Sequence, residues 1–143
     1  MTKNPTNIVV NLDYEIKLDF HLKNYIQSCL DITEFRKGVF EFSFINDIAM
    51  IELNNKYFNK NYSTDVITFN LNNTNDPIAD IYICIDEAIR NAKKYEKSLH
   101  SEIKLLIVHG LLHIKGYEDY TEQQRDIMFK EQDRVISLIE KIL

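Results

Sequence analysis

The chain has 143 residues, is 45% hydrophobic and 27% charged, and carries a formal net charge of −5. That length suits one domain, residues 1–143, whose core needs neither disulfides nor a structural metal. The acidic balance gives no global attraction for nucleic acid, so such a partner would need a local basic patch or a metal. No run approaches the roughly 18 uninterrupted apolar residues that span a bilayer, which predicts no membrane partner. Cys29 and Cys84 sit in apolar segments with no CxxC spacing and no secretory signal ahead of them, which predicts reduced core residues in a cytoplasmic protein.

The predicted elements run as follows. Residues 8–12, IVVNL, form a short strand, and Ile16, Phe20, Tyr25, Ile26, Cys29 and Leu30 recur near the helical period, predicting a helix from Glu15 to about Thr33. Gly38 opens VFEFSFI, where Phe40, Phe42 and Phe44 alternate with smaller or polar residues, the period of a strand whose aromatics face the core. Asn46 is a cap for a helix from about Asp47 to Tyr57, and residues 66–70 and 78–85 are two further strands separated by the turn-rich LNNTNDP. Asp86 is read as the cap of a charged helix to about Lys97, and Ser101 as the cap of the next, which ends at Gly116. Thr121 followed by Gln124 is a capping-box pattern opening a last helix. Strands and helices do not alternate strictly, so the expected class is α+β: a single small mixed sheet of about four strands packed with about five helices.

The stretch HGLLHIKGYED, residues 109–119, carries the chemistry. Residues four apart on a helix lie one turn above each other, so His109 and His113 present two imidazoles to one ion. Gly116 can take the left-handed conformation that ends a helix, letting Glu118 or Asp119 turn back as a third ligand. Two imidazoles and a carboxylate form a zinc set with a position left for water, although Ni, Co and Fe accept the same donors. Where the metalloprotease helix HExxH has its general base, this chain has Gly110, which argues against a peptidase of that type.

With the histidine segment in view, the chain resembles the YbeY family of single-domain bacterial endoribonucleases of rRNA maturation, whose signature reads HGxLHLxGYDH. A second family block, LNxxYRxxxxPTDVLSF, is similar to Leu53, Asn54, Tyr57, Phe58, Ser63, Thr64, Asp65, Val66, Ile67, Thr68 and Phe69, and the family's GDI to Ala79, Asp80 and Ile81. The resemblance implies a single-strand-specific, metal-dependent endoribonuclease acting in 16S rRNA 3′-end maturation and ribosome quality control, with one zinc ion per chain. It implies rRNA and the small ribosomal subunit with its proteins as partners, and no DNA. His109 and His113 carry over as ligands, and the register puts the third, a histidine in the family, on Asp119. The family's phosphate-contacting arginine falls on Phe58.

On that reading His113 belongs to the catalytic set, and Asp65 is a candidate to orient or deprotonate the nucleophile. Asp80 is a candidate to orient a ligating histidine. With no arginine at 58, phosphate contact passes to Lys56 and Lys60, and the cluster of Arg90, Lys93, Lys94 and Lys97 offers a further patch, Lys93 and Lys94 being the candidates there. The alternative is a non-catalytic, metal-stabilised assembly factor of the small ribosomal subunit.

Overall fold

The computed structural model describes residues 6–73 and 75–142, so residue 74 of the turn-rich stretch and the extreme termini lie outside it. Strand β1 (Thr6–Leu12) leads through an extended segment to α1 (Leu22–Ile32), then β2 (Gly38–Ile45), α2 (Asp47–Phe58), β3 (Val66–Asn70) and β4 (Ile78–Cys84). Three helices follow: α3 (Ile85–Lys94), α4 (Leu99–Lys115) and α5 (Glu122–Ile142). The sheet order is β1-β2-β4-β3. β1, β2 and β4 are parallel, and β3 runs antiparallel to β4 at the edge. This is the expected α+β fold with one mixed sheet. No helix of the described residues is long and apolar enough to cross a membrane.

Strand periodicity divides the core in two. Phe40, Phe42 and Phe44 of β2 and Ala79, Ile81 and Ile83 of β4 point to one face, where they pack with buried residues of α1, α3, α4 and α5. On the reverse face Ile45, Met50, Ile67 and Cys84 make a smaller cluster beneath α2. Helix α4 crosses the sheet at Gly110, where an added Cβ would come within 2.9 Å of Ile81 Cγ2. The family-motif glycine therefore permits close contact between the helix backbone and the sheet, seating the histidine-bearing turn beside β3 and β4.

Three expectations are corrected. The helix predicted from Glu15 begins at Leu22: ahead of it Tyr14, Ile16, Leu18 and Phe20 pack on the core while Glu15, Lys17 and Asp19 are exposed. That alternation has the period of extended chain, and the His21 ring accepts from Asn24 N–H at 3.3 Å to start the helix. Asp86 does not cap its own helix. Its carboxylate accepts from Asp47 N–H at 2.8 Å and from the Tyr14 hydroxyl at 2.8 Å, so it satisfies the first N–H of α2, whose N-cap is the expected Asn46, and ties the extended segment to that helix. Helix α4 is capped by Ser98, whose Oγ accepts from Ser101 N–H at 3.0 Å; Ser101 is the recipient of the cap, not its source. Cys29 and Cys84 are buried free thiols.

Candidate metal centre

Helix α4 ends in two backbone hydrogen bonds, Gly116 N–H to His113 O and Tyr117 N–H to Leu112 O, a Schellman motif that Gly116 completes at φ +114°. Past this turn the chain folds back over the last turn of the helix. The Tyr117 carbonyl oxygen lies 3.0 Å from His113 Nδ1, and Asp119 Oδ2 lies 3.5 Å from His109 Nε2 and 3.4 Å from His113 Nε2. The returning segment is pinned at its far end. Thr121 and Gln124 form the expected capping box, with Thr121 N–H donating to Gln124 Oε1 at 3.0 Å and Gln124 N–H to Thr121 Oγ1 at 3.1 Å. Arg125 also donates to the Asp119 carbonyl at 3.3 Å.

The tautomers follow from these contacts. A carbonyl oxygen only accepts, so His113 carries its proton on Nδ1; His109 Nδ1 faces Gln132 Oε1 at 3.0 Å and does the same. Both rings therefore turn Nε2 inward, and these atoms lie 3.1 Å apart with the Asp119 carboxylate against them. Burial, with the neighbouring His109 second, pushes the His113 pKa below the ordinary histidine value and keeps the ring neutral. Two imidazole nitrogens and a carboxylate converging on one point are the donors that a divalent cation takes. The donor set fits a metal ion, and His109, His113 and Asp119 form a cluster whose ligand atoms all lie within 4.8 Å.

The other sequence-predicted residues separate. Asp65 lies in the same cavity as His109 and Asp119. Its Oδ1 accepts from its neighbour Val66 N–H at 2.8 Å, and burial pushes its pKa up, opposed by His109. Lys60 lines an open cleft together with His113. Lys56 stands over the Tyr57 ring and Lys94 over Tyr95, both exposed, and Lys93 is exposed on α3. The basic cluster on that helix is smaller than its sequence suggests: Arg90 is paired with Asp47 at 2.7 Å and Lys97 with buried Glu102 at 2.9 Å. Glu118 is exposed and outside the ligand cluster.

Asp80 is a correction. Ala79 and Ile81 point toward α4, so by strand alternation Asp80 faces the opposite side of the sheet, beside Glu41, and burial together with that charge raises its pKa. The orienting partners of the histidines are instead Gln132 and the Tyr117 carbonyl. Gln132 leaves a signal in the sequence, as an amide on the stripe Met128, Val135, Ile139 that α5 buries. A second unforeseen contact is that of buried Asn54, whose Nδ2 donates to Tyr62 O at 2.9 Å and holds the loop after α2 against the cleft.

Comparison with known proteins agrees with this architecture. The solution structure of a Thermotoga maritima protein shares the fold with a TM-score of 0.67 at 23% identity, over 94% of this chain and 88% of that one. A curated relative from Karelsulcia muelleri, named endoribonuclease YbeY, is 36% identical over 93% of this chain and 97% of its own length. One of the same name from Carboxydothermus hydrogenoformans is 30% identical over 92% and 95%. The family model described as endoribonuclease YbeY matches residues 8–140, and the chain belongs to that family.

Proposed function

We propose that this RNA endonuclease is metal-dependent, with a single ion, zinc in the first instance, held by His109, His113 and Asp119. The observation that carries the reading is the convergence of two imidazole Nε2 atoms and one carboxylate at the edge of an open cleft. Such an ion, when bound, supplies Lewis-acid polarisation of a phosphodiester oxygen and lowers the pKa of water. A carboxylate in place of a third imidazole adds negative charge and weakens that effect.

The residues around the donors have their own tasks. Gln132 and the Tyr117 carbonyl hold the Nδ1 protons, so both imidazoles keep their lone pairs on Nε2. Asp65, half-buried in the cavity beside His109, is the group to take the proton of the attacking nucleophile, since its raised pKa makes the carboxylate a stronger base. Lys60 contacts phosphate in the cleft, with Lys56 close by in sequence; Lys93 and Lys94 are at most peripheral contacts. The substrate is single-stranded RNA of the 16S rRNA 3′ end, cleaved in the cytoplasm during maturation and quality control of the small ribosomal subunit.

Single-turnover cleavage of a 16S precursor fragment by zinc-loaded protein tests this, with His113→Ala and chelation as controls. Cleavage lost in both controls is expected. Cleavage that survives both overturns the metal mechanism, and tight subunit binding with no cleavage at all favours the assembly-factor reading.

A further inference from the structure

The space around the two histidines divides into cavities of opposite character. On the His109 side, a cavity of about 650 Å³ collects Asp65, Glu102, Asp119 and Asp133, and its lysine, Lys97, is already paired with Glu102. On the His113 side, the cleft of about 430 Å³ has no carboxylate among its described lining residues and includes Lys60. An RNA strand carries a negative charge at every phosphate, so the first cavity repels it and the second admits it.

The cleft has little charge with which to hold such a strand, and what it offers instead is aromatic. Phe58, at the end of α2, is 47% exposed and lines it. Its ring lies parallel to that of Phe69 on β3, 4° apart in plane and 6.0 Å between centroids. Phe69 is itself fixed by Tyr57 at 4.8 Å and Tyr82 at 6.2 Å, so the Phe58 plane rests on a packed support. Tyr62 and Tyr120, 56% and 80% exposed, line the same cleft. An exposed ring held from behind, as Phe58 is, next to a lysine forms a surface on which an unpaired base stacks whatever its sequence, because every base has a π face.

We infer that Phe58, backed by Phe69, is the stacking platform for one unpaired nucleobase of the RNA, and that Lys60 holds a neighbouring phosphate. This rests on the RNA-cleaving reading of the site. A base inside a duplex cannot present its face to Phe58, so the platform selects single strands and helps decide which phosphate reaches the histidines.

The test uses zinc-loaded full-length protein and a short single-stranded RNA of mixed sequence, intact or with one abasic site moved along it. Phe58→Leu should raise KM about tenfold with kcat little changed, and Phe58→Trp should restore it. In the wild type one abasic position should raise KM by a similar factor, and in Phe58→Leu that position should have no further effect. Circular dichroism confirms that both variants fold. If wild-type protein cleaves the RNA but Phe58→Leu leaves KM unchanged, or responds to the abasic scan as the wild type does, the platform is overturned and the enzyme reading stands. If wild-type protein neither binds nor cleaves RNA, both fall together.

Discussion

The Tyr117 carbonyl oxygen sits 3.0 Å from Nδ1 of His113, four residues back along the chain and across the turn at Gly116. That contact decides where the His113 proton resides, and so which nitrogen faces His109 and Asp119. The candidate ligand set is therefore assembled by the way α4 ends as much as by the histidines themselves.

Substitutions around the set should grade in metal affinity. His113→Ala and Asp119→Ala remove donors, and zinc content of purified protein should fall to background in the first and at least tenfold in affinity in the second. Asp119→His should retain zinc. Gln132→Leu keeps every donor but releases the His109 Nδ1 proton, and should weaken zinc binding roughly 10- to 100-fold. Elemental analysis and competition titration read these effects. Unchanged zinc content in Asp119→Ala would remove that residue from the set.

Gly116→Ala isolates the turn. An added Cβ at this position meets nothing within 4 Å, so the whole effect comes from the positive φ of +114°. A stability loss of about 1–2 kcal/mol in urea unfolding is expected, together with weaker zinc binding because Asp119 hangs from the turn. Full stability with full zinc affinity would show that the turn does not position the carboxylate.

Asp65 should trade stability against activity. Burial raises its pKa, so the folded state binds more protons than the unfolded state between the ordinary carboxyl value and the raised one, and stability falls as pH rises through that interval. Asp65→Asn keeps an acceptor for Val66 N–H and removes the charge. Its Tm at neutral pH should rise while cleavage falls about a hundredfold. Cleavage at the wild-type rate would leave Asp65 only its turn-capping bond.

A different pH response belongs to the pair that joins α2 to α3. Arg90 donates to both Asp47 oxygens, at 2.8 and 2.7 Å, and holds that carboxyl well below the usual range. Below about pH 4 the unfolded state binds more protons at this residue than the folded state, so the stability from the pair is complete above that pH and is lost as pH falls toward the folded pKa. Arg90→Met should cost about 1 kcal/mol at pH 7, since the pair is solvent-screened, and less at pH 3. A deficit that is the same at both pH values in urea unfolding would show that the pair contributes nothing to acid sensitivity.

Local patterns in the sequence determined much of this protein. The period-two phenylalanines of β2, the Thr121–Gln124 box, the glycine that ends α4 and the four-residue spacing of His109 and His113 each state a local geometry, because capping and strand or helix periodicity act over a few residues. The same signals misled where two periods overlap: Ile16 and Phe20 satisfy a helical spacing and an extended one alike, and only packing against the core selects the second. Tertiary structure decided what depends on distant chain. It turned Asp86 into the acceptor for the first N–H of α2, placed Asp80 on the far face of the sheet and brought Gln132 from α5 to His109. It also separated an acidic cavity from the aromatic cleft beside the histidines. The physical reason is that a hydrogen bond or a local field depends on distance in space, and the chain fixes those distances only when helices and sheet pack.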